Sequence, residues 1–317
     1  MTALTKKWKL WPLTFDKKAF TPRRIMIDLV KLYLFYVFLS MLIIMGLKDR
    51  LILFPMQDTS WKPGLKGMDE ALKCTESKEV SFKTADGKTL SGYLVKNKNA
   101  AAKLVIINHG NAGNIGHRMG IAATLAAAGA SALAYDYRGY GESQGDPKLA
   151  NLIPDATAAY DFATKELGYK AHDIILYGES IGCGVTTGVM ASRPCRAVIL
   201  QSPFVSLMST ARDKLFFMRT LPDFVMVEPQ LNNLAAVQKP HPPLLLMHGD
   251  KDKTLPCRYS EELFAKASEP KQLFIVEGAD HNDVYQDPGR GVLVTLKNFI
   301  ASVNEAKSQV SLQTQAQ

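Results

Sequence analysis

Ser180 stands in Gly178-Glu179-Ser180-Ile181-Gly182, with an apolar run before it and a helix-forming run after it. A serine hydroxyl is a weak nucleophile at neutral pH and needs a base within hydrogen-bond reach. The chain has six histidines. His281, in Gly278-Ala279-Asp280-His281-Asn282-Asp283, follows the last apolar run and precedes the last helical one, the place for a base that returns to Ser180. Its imidazole needs a carboxylate on the other nitrogen to fix the tautomer and stabilise the cation. Two aspartates compete in His248-Gly249-Asp250-Lys251-Asp252-Lys253-Thr254-Leu255-Pro256. Asp252 leaves room for the loop to turn back over the sheet, whereas Asp250 is placed to hold the turn by an Asx-type hydrogen bond. Ser180, Asp252 and His281 are the predicted catalytic residues. His117 and His172 lie in polar surroundings and are expected to be solvated, and His241, between prolines, to be structural.

Acyl transfer also needs hydrogen-bond donors where charge develops on the carbonyl oxygen, and losing one costs about 10²–10³ in rate. His109-Gly110-Asn111-Ala112-Gly113-Asn114 follows an apolar strand-like run, and small residues let backbone amides face a site. The amides of Asn111 and Ile181 are the predicted oxyanion hole. A phosphate-binding loop is excluded for want of a G-K-[ST] or G-x-G-x-x-G pattern. Asp136-Tyr137-Arg138-Gly139-Tyr140-Gly141-Glu142-Ser143 reads as a rigid loop under the site, with Tyr137 or Arg138 as candidate substrate contacts.

These segments need a scaffold that brings distant loops to one edge. Buried strands are expected at 104–108, 132–136, 174–177, 197–200, 244–247 and 273–276. Helices are expected at about 115–128, 154–167, 181–192 and 291–303. Strand–helix alternation with strands apolar throughout indicates an α/β fold, a mostly parallel doubly wound sheet covered on both faces. Residues 80–84 and 89–95 flank a turn-rich tetrapeptide and predict an antiparallel hairpin at its edge. Residues of about 203–240 interrupt the alternation with apolar and basic side chains and read as a small cap, in which Phe204 is a further candidate substrate contact.

The chain has 317 residues and a net charge of +8. Seven basic residues against one acid crowd into 1–24, so the remainder is close to neutral and its basic residues are interleaved with acids. A nucleic-acid partner is therefore not expected. Cys74, Cys183, Cys195 and Cys257 form no C-x-x-C pair, and a zinc or redox site is not expected either. Leu32–Leu47 carries no charge, and the nineteen residues 29–47 would span about 28 Å as a helix, near the roughly 30 Å hydrocarbon core. A cleaved signal peptide is disfavoured because Lys48-Asp49-Arg50 follows directly, and a buried core helix because no polar face is evident. The expected organisation is a basic cytoplasmic segment (1–24), a single transmembrane anchor (25–47), a catalytic domain (48–304) and a polar tail (305–317). The excess of basic residues before the span places the N-terminus in the cytoplasm and the catalytic domain on the other side.

Taken in order, N-H-G-N-A-G-N-I-G-H-R, D-Y-R-G-Y-G-E-S, G-E-S-I-G, H-G-D-K-D-K-T-L-P and G-A-D-H-N-D resemble the alpha/beta-hydrolase superfamily. The resemblance is to its bud-emergence-like branch, which includes abhydrolase-domain membrane proteins and depalmitoylating thioesterases, over roughly residues 50–304. It implies the alpha/beta-hydrolase fold, the triad and oxyanion residues named above, and an N-terminal anchor. Asp280 departs from the glycine that relatives commonly carry there, and Cys183 follows the nucleophile without an evident role. Depalmitoylating members have a cysteine-rich N-terminus, whereas residues 1–73 here contain no cysteine. The expected activity is two-step acyl transfer on esters or thioesters of lipid-like or acylated substrates at a membrane, with no metal or organic cofactor. The alternatives are a serine peptidase or amidase with the same triad, and a membrane-tethered interaction or morphogenesis protein with a secondary or vestigial site.

Overall fold

In the computed structural model the described residues are 21–62, 64–73, 75–98, 103–222 and 231–314. Most of the basic segment, Cys74, residues 223–230 of the cap and the end of the polar tail lie outside them. The chain starts with α1 (Pro22–Ile52), the two-residue β1 (Phe54–Pro55) and α2 (Gly64–Leu72). A hairpin follows, β2 (Thr75–Lys83) and β3 (Thr89–Asn97). Then come β4 (Leu104–Asn108), β5 (Ala112–Gly113), α3 (Met119–Ala127), β6 (Ser131–Tyr135) and α4 (Leu149–Lys165). The chain goes on through β7 (Ile174–Glu179), α5 (Ile181–Met190), β8 (Ala197–Gln201), α6 (Leu207–Lys214) and α7 (Asn233–Val237). It ends with β9 (Leu244–Gly249), α8 (Arg258–Lys266), β10 (Lys271–Val276) and α9 (Val292–Thr314).

Eight strands form one sheet in the order β10-β9-β8-β7-β4-β6-β3-β2. Neighbours from β10 to β6 are parallel, and the hairpin closes one edge antiparallel, as expected. Every residue of β4, β6, β7, β8 and β9 is buried, which requires cover on both faces. Side chains alternate across a strand. In β4, Leu104 and Ile106 accordingly join the core under α4 and α5, while Val105 and Ile107 join the core under α3 and α9. From β4 the chain first adds β6 on one side and later β7 on the other, so β4 and β7 flank the point where strand order reverses. Open α/β sheets hold their ligand crevice outside the carboxyl ends of the strands at such a point.

Several boundaries differ from the sequence-based ones. The run expected as one helix at 115–128 is a 3-10 turn (Ile115–Arg118) capped by Asn114, followed by α3. α4 begins at Leu149 and carries Pro154 inside it. The anchor helix is longer than 25–47 at both ends, and α9 runs through most of the expected polar tail.

α1 is the helix, among the described residues, long and apolar enough to cross a membrane. It does not stand free. The Tyr33 hydroxyl donates to Thr220 O at 2.9 Å and the Tyr36 hydroxyl to Phe217 O at 2.9 Å. Val37 is buried with Met208, Met218 and Leu221 of the cap. Away from the cap contact α1 is exposed, with Met26 at 62%, Leu34 at 60% and Phe38 at 59%.

Candidate active site

Ser180 sits between β7 and α5 with φ 55° and ψ −118°. A non-glycine residue held there stores roughly 1–3 kcal/mol of strain and persists only where its surroundings over-determine it. The crowding is visible at both flanking glycines. A Cβ on Gly178 would lie 2.5 Å from Gly182 O, and one on Gly182 would lie 2.0 Å from Asn108 O. Both positions therefore exclude a side chain, which is the physical content of the G-x-S-x-G spacing. The Ser180 N–H donates to Gln201 O at 3.0 Å, tying the elbow to β8. Cys183 is fully buried and its thiol donates to Gly178 O and Gln201 O, each at 3.2 Å, so it braces the elbow from below.

The acid and base come from the loops after β9 and β10. His281 Nδ1 lies 2.6 Å from Asp252 Oδ2. A carboxylate only accepts, so Nδ1 carries the proton and the Nε2 lone pair is left to act as base. Asp252 Oδ1 accepts from the N–H groups of Thr254 at 2.8 Å and Leu255 at 2.7 Å. A second histidine, His248, is fully buried, with Nε2 3.2 Å from Asp252 Oδ2 and 2.9 Å from Leu255 O. Burial pushes the Asp252 carboxyl upward, but hydrogen bonds from His248 and His281, the charge of His281 and the Leu255 amide outweigh it and hold the carboxyl well below its usual range. Asp252 is thus ionised wherever the fold is intact. Asp250 does not close its own turn as expected; its Oδ1 accepts from Gly278 N at 2.7 Å and so ties the loop after β9 to the loop after β10. Asp280 binds the two loops together by accepting from the N–H groups of Lys253 at 3.0 Å and His281 at 2.7 Å.

Ser180 and His281 each retain 8% exposure. Among the described residues no hydrogen bond joins the Ser180 hydroxyl to His281. In unliganded sites this bond is often long and tightens when substrate binds.

Neither the Asn111 nor the Ile181 backbone N–H has a hydrogen-bond acceptor among the described residues. The Asn111 carbonyl and side-chain amide nitrogen are engaged. Its carbonyl accepts from Phe54 N at 2.8 Å and from the Tyr140 hydroxyl at 2.7 Å, and its side-chain amide donates to Ile52 O at 2.7 Å. The oxyanion loop is therefore stitched to the exit of α1, an attachment extended by the parallel pairing of β1 with β5.

An ion pair beneath this loop has no signature in the sequence. Arg118 meets Glu179, the residue before the nucleophile, through Nε–Oε2 at 2.8 Å and Nη2–Oε1 at 3.0 Å. Arg118 also donates to Ala112 O at 2.7 Å, so one buried guanidinium links the oxyanion loop to the elbow. Beside it, burial and the Arg118 charge push His109 down to about 3, and burial pushes Asp136 up to about 7. His109 Nε2 lies 3.6 Å from Asp136 Oδ1.

Tyr137, Arg138 and Phe204, the candidate substrate contacts, are all buried and packed against other side chains. The buried Tyr137 stacks on His109 with ring centroids 4.3 Å apart and donates to His109 O at 3.2 Å. Arg138 is paired with Asp155 at 2.6 Å and Asp86 at 2.9 Å. Phe204 is 3% exposed and packs against Gly184 of α5. Their types suit a binding site, but their polar atoms and faces are already committed inward. His117 is exposed and takes part in the Asn114 cap, His172 is beside Asp173, and His241 Nδ1 lies 2.7 Å from Pro242 O.

A family model described as serine aminopeptidase, S33, matches residues 99–241. An uncharacterized protein of Mycobacterium tuberculosis is 34% identical over 227 residues, covering 70% of this chain and 79% of its own. The alpha/beta hydrolase domain-containing protein 17B of Xenopus laevis is 30% identical over 223 residues, covering 69% of this chain and 73% of its own. Among solved structures, an esterase of Pyrococcus furiosus superposes with a TM-score of 0.62 at 22% identity, over 79% of this chain and 98% of its own. At that identity the likeness speaks for the fold alone.

Proposed function

This chain belongs to the alpha/beta-hydrolase family, and from that premise we propose that it is a serine hydrolase cleaving carboxylic ester or thioester bonds of lipid-like or acylated substrates. The observation that carries the reading is the 2.6 Å contact of His281 Nδ1 with Asp252, on loops that leave the same edge of the parallel sheet as the strained turn at Ser180. Ser180 Oγ attacks the acyl carbonyl while His281 Nε2 takes its proton. The oxygen that gains charge is met by the Asn111 and Ile181 amides. His281 then gives the proton to the departing alcohol or thiol, and water activated by the same imidazole releases the acid from Ser180.

The exposed apolar side chains of α1 support membrane anchoring, with the N-terminal basic cluster on the cytoplasmic side. The test is covalent labelling of the full chain by a fluorophosphonate. The wild type is expected to label, and Ser180→Ala and His281→Ala to lose labelling together with about 10⁶ in turnover. A folded wild type that does not label overturns the reading. The description of the matching family model as a serine aminopeptidase favours one rival, a peptidase with the same triad. Faster hydrolysis of an aminoacyl amide than of the corresponding ester would select it.

A further inference from the structure

A cavity of 540 Å³ lies between α1, the cap and the catalytic loops. Its volume is within the roughly 300–1,000 Å³ of small-molecule sites. Ile43, Ile44 and Leu51 of α1 form one wall, and Leu215 and Phe217 of the cap form another. Asn111, one candidate oxyanion donor, and Leu255, whose N–H is bonded to Asp252, close it on the side of the triad. Lys48 and Lys214 are its charged lining residues, both cationic.

We propose that this cavity holds the acyl chain of the substrate, and that the chain enters sideways from the lipid leaflet in which α1 is embedded, so that the anchor helix is itself part of the binding site. The proposal rests on the hydrolase reading above and adds the place and source of the acyl group. Three observations support it. First, the α1 wall of the cavity runs from Ser40 to Ile52 and so overlaps the uncharged stretch that ends at Leu47, which brings its upper part to the level of hydrocarbon. Second, α1 meets the cap from Tyr33 onward. The free helix before that is only about 17 Å long, short of the roughly 30 Å apolar core, so a bilayer that takes up α1 also takes up the adjoining face of the cap. That face carries Leu215 at 46%, Phe216 at 78% and Phe217 at 47% exposure, a cost in water that lipid removes. Third, the exit of α1 is hydrogen-bonded to the oxyanion loop through Asn111 Nδ2 and Ile52 O, so the wall and the reacting centre keep one register. The two lysines suit the phosphate or carboxylate of a lipid head.

The experiment uses the full chain reconstituted in phosphatidylcholine vesicles, with palmitoyl and acetyl esters of one chromogenic alcohol. Ile43→Trp fills the cavity from α1 and Ala211→Trp fills it from the cap, so one variant remains informative if the other does not fold. Fluorophosphonate labelling of Ser180 reports an intact centre. Each variant is expected to label and to lower the palmitoyl-to-acetyl ratio of kcat/KM by about tenfold or more, the effect of displacing two methylenes at about 0.8 kcal/mol each. Labelling with an unchanged ratio overturns the acyl site and leaves the hydrolase standing, whereas a wild type that does not label sinks both. Entry is tested by delivering the palmitoyl ester either in the vesicle or on albumin outside it. Faster turnover of the bilayer-borne ester is expected, and faster turnover from albumin overturns lateral entry.

Discussion

Asp252 accepts four hydrogen bonds, from two histidines and two backbone amides, and each favours the charged carboxylate. Of the two, His248 is fixed on its far side, where its Nδ1 is held by Ser260 at 2.7 Å. The arrangement makes Asp252 an orienting charge whose value lies in fixing the His281 tautomer. Asp252→Asn, nearly the same shape, is expected to keep the fold and labelling competence in part but to lower kcat by about 10⁴, because an amide can donate to Nδ1 and so stabilise the wrong tautomer. Single-turnover kinetics with an activated ester would read this directly. A loss under tenfold would remove Asp252 from the triad.

At the scale of elements, the site is a joint between β4 and β7 whose two loops are tied by Arg118 and Glu179. The side chains of this pair are 9% and 10% exposed, so they have surrendered most of their hydration. Removing one partner from a buried pair costs about 3–5 kcal/mol because the other charge is stranded, whereas replacing both with apolar groups of similar volume is often neutral. Arg118→Met is therefore expected to destabilise by about that much, and the double variant Arg118→Met/Glu179→Met to recover at least half of the loss. Thermal unfolding in detergent gives the comparison. Equal losses in the single and double variants would show that the bonds from Arg118 to the oxyanion-loop carbonyls, not the ion pair, carry its contribution.

For the whole molecule, the buried His109–Asp136 pair connects stability to pH. His109 Nδ1 lies 2.7 Å from Gly110 O and donates to it, which leaves Nε2 as an acceptor with no hydrogen-bond donor among the described residues. Asp136 Oδ1 lies 3.6 Å from that nitrogen, and burial favours its neutral, protonated carboxyl. Its carboxyl keeps the proton up to about pH 7 in the folded chain. In the unfolded chain an aspartate releases it near 3.9. Between these limits Asp136 alone makes stability fall as pH rises, whereas His109, held at about 3 in the fold against about 6.5 unfolded, makes it rise over nearly the same window, so the two largely offset. Asp136→Asn removes the falling contribution and is expected to leave stability rising with pH up to about 6.5, which melting temperatures of both proteins from pH 4.5 to 7.5 would reveal. Parallel curves for the two would assign the proton elsewhere.

The tight turn at Ser180 and the loops that bring His281 to Asp252 were legible in the sequence because each has a local signature: a glycine spacing that only such a turn needs, and loops that directly follow apolar strand-like runs. The parallel sheet was legible from the same runs, since strands covered on both faces have no polar alternation. The ends of α1, the split before α3 and the length of α9 were not, because capping and packing set them. The packing of Tyr137, Arg138 and Phe204 was not legible from residue type. Aromatic and basic side chains suit a ligand equally well whether they face it or not, and only the tertiary structure turns these three inward. Arg118 and Glu179, 61 residues apart, His248 behind the acid, and the cavity walled by both α1 and the cap belong to the same class. Each is a meeting of segments with no periodicity or motif in common. A sequence records the local preference of every segment, but which faces become neighbours is decided only when the apolar surfaces close on one another and their polar groups must find partners.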